Sequence, residues 1–246
     1  MSAELVESTD GLTPHQKAAL RRLFLSLADT KRVLGIRYSD WLLGAPSIET
    51  GIACSGMGQA EWGHARLIYA MLKDLGEDPV PVEHDRSSSE YAACDVLDAP
   101  LQDWAQVVAA MAVVDGALTV ALEAFGEGSF ASARSRVPKM LGEEEFHRDL
   151  AAAWLRRLGG ADSGGRDRLR EACLAMLPRT LAWMAPSDEA HEALVELGIT
   201  LPTKTLLQRH RERWGLIFSG LDIDLAELAP DRGGWDADRG RGPGHP

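Results

Sequence analysis

Residues 60–72 read AEWGHARLIYAML, a helix-forming run in which Glu61 and His64 are three positions apart. Three residues are close to one helical turn, so both side chains leave the helix on the same face. The other positions on this face are apolar or small: Cys54, Met57, Gly58, Ala65, Ile68 and Leu72. A glutamate and a histidine on a core-facing stripe are costly to bury unless a partner satisfies them. The stretch therefore predicts a long helix with a polar site inside the protein.

A second stretch repeats the same spacing. Residues 142–155 read GEEEFHRDLAAAWL, and Glu144 and His147 are again three apart. Their stripe is mostly apolar: Val137, Met140, Leu141, Ala151, Trp154 and Leu158, with Arg148 at its edge. One Glu-x-x-His pair is common by chance, but two on apolar stripes favour a shared site. Bundles that hold two metal ions take such a pair from each of two helices and one carboxylate from each of the other two.

The helical pattern runs along almost the whole chain. Long helices are predicted over residues 14–43, 47–76, 101–125 and 130–158, and shorter ones over 166–184, 188–197 and 203–219. Residues 77–99 are rich in Pro, Ser, Asp and Glu and predict a long crossover, and residues 159–165 predict a loop. Two long hairpins joined by a crossover are typical of an all-α, ferritin-like four-helix bundle, here with additional shorter C-terminal helices. The alternative is a helical bundle with nothing inside it.

This fold predicts one domain over residues 1–228 and a flexible Gly-rich tail over residues 229–246. The net charge of −11 argues against nucleic acid or an anionic membrane as a partner. No uninterrupted apolar run has the length of a transmembrane helix, and the acidic N-terminus does not resemble a signal peptide. The three cysteines are scattered, as expected for a protein of the reducing cytoplasm.

Hairpin geometry locates the groups that face the two Glu-x-x-His pairs. Residues at equal distance from the turn of an antiparallel hairpin lie at the same height. Asp115 is level with Glu144 across the turn near residue 129, and its neighbours on the same face are apolar. Lys31 is level with Glu61 across the turn at Pro46, where a fourth carboxylate would be expected. Asp29 does not replace it, because two residues turn a side chain about 200° around a helix.

The predicted cluster therefore contains Lys31 and five metal-ligand types: Glu61, His64, Asp115, Glu144 and His147. With neutral histidines, three carboxylates and one lysine leave a charge that one divalent cation would neutralise. A four-carboxylate site would take two ions. The sequence favours one metal ion over two in this cluster.

The chain resembles the phenylacetate-catabolism family of ferritin-like proteins, which includes subunits of phenylacetyl-CoA epoxidase and benzoyl-CoA epoxidase. AEWGHARLIYAML, VVDGA and EEEFH are similar to the metal motifs of the catalytic subunit. By that resemblance, Glu61, His64, Asp115, Glu144 and His147 stand where the family has iron ligands. Lys31 departs from the pattern, because the catalytic subunit has a glutamate there. LADTKRVLGIRYSDWLLGAP and ELGITLPTKTL are more similar to the structural subunit, which lacks the iron site.

The resemblance implies an iron-dependent oxidoreductase of the monooxygenase type, with manganese as an alternative metal. Its substrate would be an aromatic acyl-CoA or a related small molecule, and a separate reductase would supply electrons. A homodimer, or pairing with a related ferritin-like subunit, is expected. The rival interpretation is a non-catalytic partner subunit in which Lys31 replaces the metal charge by a buried salt-bridge network. A third is simple iron binding or storage.

Overall fold

The protein is an all-α bundle, as predicted. The computed structural model describes residues 5–160 and 163–244, and no β-strand occurs among them. The helices are α1 (Pro14–Ser39), α2 (Ile48–Tyr69), α3 (Pro79–His84), α4 (Trp104–Ala110), α5 (Gly116–Glu127), α6 (Ala131–Gly159), α7 (Ser163–Met184), α8 (Glu189–Glu196) and α9 (Thr203–Ser219). A 3₁₀ turn, Ala70–Leu75, continues α2. The predicted loop over residues 159–165 is shorter in the structure, because Gly159 ends α6 and α7 begins at Ser163; residues 161 and 162 lie outside the described residues.

The first hairpin consists of α1 and α2. A capping box starts α1: Thr13 accepts the Gln16 backbone N–H at 3.2 Å, and the Gln16 side chain accepts the Thr13 N–H at 2.9 Å. The two helices approach closely at Gly35 and Gly58, since a Cβ atom on Gly58 would lie 2.9 Å from the Gly35 carbonyl oxygen. This close packing brings the inner faces of both helices to the bundle centre.

The end of α1 differs from the prediction. The helix ends at Ser39 rather than near Leu43, because the Leu42 N–H turns to the Ser39 carbonyl and the chain bends toward α2. Leu42 is 44% exposed, and Leu43 is 95% exposed. The turn therefore presents apolar side chains to the outside of the bundle.

The crossover is held to the bundle by a buried carboxylate. Asp29 on α1 is fully buried and accepts the backbone N–H of Ala92 at 2.7 Å and Arg86 Nη1 at 3.0 Å. The Tyr69 hydroxyl also donates to it. The guanidinium of Arg86 lies over the Tyr91 ring, 4.6 Å from its centroid. These contacts join α1, α2 and the crossover at one point.

The third long helix is interrupted by a π-turn. Helices α4 and α5 are joined without a break by the π-helical residues Met111–Asp115. In a π-turn the backbone bonds skip to the fifth residue, so one extra residue is accommodated, and such turns occur mostly at functional sites. The combined helix, Trp104–Glu127, is long and apolar enough to span a membrane, but 83% of its apolar window is buried in the protein. That burial is expected of the central helix of a bundle.

The Gly-rich tail contacts three separate parts of the body. Arg241 is 3% exposed, pairs with Asp98 and donates to the Tyr91 carbonyl at 3.2 Å. Trp235 Nε1 donates to Asp188 at 2.9 Å. Arg22 on α1 donates to the carbonyl of Ala237 at 2.6 Å. Described residues of the tail are thus anchored to the crossover and to two helices, while the flexibility predicted for residues 229–246 stays a prediction.

Replacing Asp29 should loosen the crossover. Asp29→Ala leaves Arg86 and the Ala92 N–H without their buried acceptor, so the free energy of unfolding should fall by about 3 kcal/mol or more. Urea denaturation measures this change. Asp149→Ala is the control, because that aspartate is 74% exposed on α6 and should change stability by less than about 0.5 kcal/mol. Equal effects of the two substitutions would contradict the anchoring role of Asp29.

Candidate metal centre

Four ionisable side chains meet at the centre of the bundle. Glu61 comes from α2, Asp115 from the π-turn, and Glu144 and His147 from α6. Each offers one ligand atom, and these four atoms lie within 4.8 Å of one another. None of the four residues is more than 3% exposed. The two hairpins thus bring together four of the five predicted ligands, as the equal-height geometry requires.

Lys31 occupies the position that hairpin geometry gave to a fourth carboxylate. It is fully buried in the middle of α1. Its Nζ donates to Glu61 Oε1 at 2.9 Å and to Glu144 Oε1, and lies 3.7 Å from Asp115 Oδ1. Burial alone would lower the pKa of Lys31, but the surrounding carboxylates raise it above its ordinary value. The lysine therefore carries its positive charge inside the cluster.

The carboxylates do not respond equally to this charge. Burial raises the pKa of Glu61 to about 7, although Lys31 opposes the shift. Burial acts in the same direction on Glu144, but Lys31 and hydrogen bonds from His147 and His64 hold its pKa well below the ordinary value. Two carboxylates with pKa values pushed apart by their surroundings are a property of functional sites as well as of buried ion-pair networks.

His147 directs one ring nitrogen into the carboxylates. Its Nδ1 lies 3.1 Å from Asp115 Oδ2, 3.2 Å from Glu61 Oε1 and 3.4 Å from Glu144 Oε2. Burial would lower the pKa of His147, but hydrogen bonds to the three carboxylates raise it to about 12. A bare nitrogen lone pair would repel these oxygens. Either a proton or a metal cation must therefore lie between Nδ1 and the carboxylates.

The oxygen atoms of the cluster fit one cation. Three buried carboxylate oxygens, Glu61 Oε2, Asp115 Oδ1 and Glu144 Oε2, accept no hydrogen bond from the described part of the protein. Buried carboxylate oxygens without partners are costly, and coordination of a hard cation would remove that cost. Three carboxylates with the Nδ1 of His147 form a donor set suited to iron or manganese. Lys31 supplies the charge that a second ion would bring.

His64 lies beside this group rather than within it. Its Nδ1 is 3.0 Å from Glu144 Oε1, and its Nε2 is 2.8 Å from Oε2 of another carboxylate, Glu143. Both ring nitrogens are therefore engaged, one with the cluster and one with a half-exposed glutamate. The assignment of His64 as a metal ligand stays a prediction. Glu143 was not predicted, although its place next to Glu144 in the EEEFH motif was visible.

Tyr38 has a polar role that the sequence did not reveal. It lies on the inner face of α1 and is fully buried. Its hydroxyl donates to Asp115 Oδ2 at 3.0 Å, and its ring meets the His147 ring edge-on at a centroid distance of 6.4 Å. Burial, followed by the charge of Asp115, raises the pKa of the hydroxyl well above its ordinary value. Tyr38 therefore remains a hydrogen-bond donor that orients Asp115.

A cavity of about 330 Å³ borders the cluster. Asp115, Glu144 and His147 are among its lining residues. The rest of the wall includes Met111, Thr119, Leu141, Gly142 and Trp214. Arg213 and Glu123 also line the cavity and pair with each other at 2.7 Å. Cavities of this size and mixed lining are typical of small-molecule sites.

Replacing Lys31, the buried positive charge of the cluster, should destabilise the protein without metal. Lys31→Met keeps most of the volume but leaves the carboxylates without their counter-charge, so the free energy of unfolding in chelator should fall by about 3–5 kcal/mol. Urea denaturation in EDTA measures the loss. Arg21→Met is the matched control, because Arg21 pairs with Glu77 at a site where its side chain is 41% exposed, and the expected loss is below about 1 kcal/mol. Losses of equal size would show that Lys31 does not neutralise the cluster.

Comparison with known proteins agrees with the resemblance noted in the sequence. A family model described as phenylacetic acid catabolic protein matches residues 1–230. This range contains all nine helices of the described residues and every residue of the cluster. No individually curated protein matches the chain. The chain belongs to the family of phenylacetic acid catabolic proteins.

Proposed function

We propose that the protein is a metal-dependent oxidoreductase of the epoxidase type that holds one divalent ion, with iron favoured over manganese. The observation that carries this proposal is the set of three buried carboxylate oxygens that accept no hydrogen bond from the described residues, close to the Nδ1 of His147. Membership of a family that acts in phenylacetic acid catabolism supports an aromatic acyl-CoA as the substrate class. Glu61, Asp115, Glu144 and His147 would hold the ion, with His64 as the remaining candidate ligand.

Bound iron in its reduced state would supply the capacity to activate O2, with electrons from a separate reductase. The protein's own groups prepare the site. Tyr38 holds one oxygen of Asp115 by a hydrogen bond, and Lys31 keeps a fixed positive charge against Glu61 and Glu144. The cavity beside the cluster, with a volume of about 330 Å³, gives room for the acyl part of a substrate.

The second candidate is a non-catalytic partner subunit within the same family. One observation favours it: the ammonium of Lys31 already lies between Glu61 and Glu144, where a network of ion pairs could replace a metal ion. In this case the cluster would stabilise the fold, and the chain would act by binding a related catalytic subunit. Both candidates agree with the family, so metal content and turnover must separate them.

Metal titration tests the role of Lys31 directly. The wild type should bind at most one divalent ion per chain, because the ammonium occupies the space and charge of a second. Lys31→Glu restores the fourth carboxylate and should raise the count toward two. Lys204→Glu, an exposed lysine on α9, should leave the count unchanged. Two tightly bound ions in the wild type, or no gain in Lys31→Glu, would contradict the assignment.

Oxygen uptake separates the enzyme from the partner subunit. The iron-loaded protein, supplied with a reductase and phenylacetyl-CoA, should consume O2 and form an oxygenated acyl-CoA, and Glu61→Gln should lower this rate at least about tenfold. Mass spectrometry of the acyl-CoA measures the product. A protein that binds no iron and forms no product, but raises the activity of a related catalytic subunit, would be the partner subunit instead.

A further inference from the structure

Three tryptophan rings from separate parts of the chain lie in contact with one another. Trp41 follows α1, Trp104 is the first residue of α4, and Trp154 lies on α6. The ring centroids of Trp154 and Trp104 are 5.0 Å apart, and those of Trp104 and Trp41 are 5.9 Å apart. These three residues form the tryptophan row. Indole gives up an electron more readily than most side chains, so a row of indoles in contact can conduct electrons as well as fill space.

The inner end of the row lies near the metal cluster. Trp154 is seven residues after His147 on α6, which corresponds to about 10 Å along the helix axis, and both side chains are buried. Side chains of a helix lean toward its N-terminus, so the Trp154 ring should lie on the His147 side of its own Cα atom. Trp154 is therefore the member of the row that faces the cluster.

The outer end of the row reaches the surface. Trp104 and Trp41 are partly exposed, whereas Trp154 is 7% exposed. The guanidinium of Arg157 lies over the Trp154 ring, 4.7 Å from its centroid. This fixed positive charge opposes a second positive charge on the same ring. The charge left by a departing electron would therefore move on to Trp104 and Trp41, where a small reductant can reach it.

The other tryptophans near the bundle centre and on its outside do not extend this row. Trp214 lines the cavity beside the cluster, but its ring pairs with Phe218, whose benzene ring is much harder to oxidise than an indole. Trp62 is 39% exposed on α2 and donates its Nε1 proton to the Arg32 carbonyl at 3.2 Å. Among the described residues, Trp62 has no aromatic ring as a partner.

We propose that the tryptophan row is an electron-transfer path between the metal cluster and the protein surface. The inference rests on the proposed function, because the oxidant is the metal centre after reaction with O2 and without a bound substrate. One electron leaves the row and reduces this oxidised centre, so an indole radical cation is left on Trp104 or Trp41. An external one-electron reductant, such as a thiol or ascorbate, returns the electron. The path thereby protects Tyr38 and His147 from oxidation.

Mapping of oxidised residues tests the path in the iron-loaded protein. When substrate and external reductant are left out, O2 traps the indole radical, so exposure of the ferrous protein to air should add oxygen to Trp104 and Trp41. Mass spectrometry of tryptic peptides locates the added oxygen. Trp62 is the control within the same chain, because it is exposed but lies outside the row. Equal oxidation of Trp62 would indicate a diffusible oxidant and contradict the path.

Two substitutions separate electron transfer from packing. Trp104→Phe keeps an aromatic ring in the middle of the row but removes the indole, so oxidation of Trp41 should be lost. Arg157→Leu removes the charge over Trp154 and should move part of the added oxygen to that ring. Arg156→Leu is the matched control, since Arg156 is exposed on the same turn and should leave the pattern unchanged. Circular dichroism checks that the three variants are folded.

A flash experiment tests the row without metal. The native cysteines are buried, so a ruthenium photo-oxidant can be attached selectively to Ala153→Cys, at an exposed position next to Trp154. Repeated flashes in EDTA, with an external electron acceptor, should oxidise Trp41. The added substitution Trp104→Phe should abolish that oxidation.

The flash result separates this inference from the proposed function. An iron-loaded protein that forms no oxygenated product would contradict the proposed function, while oxidation of Trp41 in the flash experiment would still support the path. The path is overturned if Trp41 stays unmodified after the flashes, or if its oxidation persists in Trp104→Phe. It is also overturned if Arg157→Leu leaves the pattern of oxidation unchanged, because the tryptophans would then only pack the bundle.

Discussion

The arrangement of the bundle depends on one buried cation. The ammonium of Lys31 lies among three carboxylates contributed by other helices, and all four side chains are almost completely buried. Unlike charges at such distances are strongly coupled in a medium of low permittivity, and each is costly without the others. The positions of α1, α2, α6 and the π-turn are therefore linked through a single side chain. Any ion that enters the site has to share these carboxylates with Lys31.

The donor residues of the cluster suit a metal ion, whereas Lys31 brings a positive charge to the same site, and the geometry accommodates both. The cluster offers a donor set that suits a hard metal ion, formed by Glu61, Asp115, Glu144 and His147. Three of its carboxylate oxygens accept no hydrogen bond from the described residues. Lys31 lies at the position on α1 where a fourth carboxylate, needed for a second ion, would be expected. The same cluster thus combines a donor set that could hold one metal ion with a positive charge of the protein's own.

Much of this site was predictable because, in a helical hairpin, the number of residues between a side chain and the turn fixes its height along the bundle axis. Capping residues mark where helices start, and equal distance from a turn then located Asp115 and Lys31 without knowledge of packing. Contacts that depend on the path of the crossover were not predictable. The buried partners of Asp29 lie at residues 69, 86 and 92, and no helical period relates them. The bond from Tyr38 to Asp115 was missed because an apolar stripe does not reveal which hydroxyl finds a partner.

The anchored tail has a consequence for the order of events during synthesis. Arg241 reaches Asp98 and the Tyr91 carbonyl, and the carbonyl of Ala237 accepts from Arg22 near the start of α1. These partners leave the ribosome well before the tail is made, and chains emerge at about 5–20 residues per second. Both hairpins can therefore pair before residues 237–241 have been made. The crossover, in contrast, gains its contacts with Arg241 only afterwards, so the nascent chain passes through a stage in which both hairpins have emerged and these contacts have not yet formed.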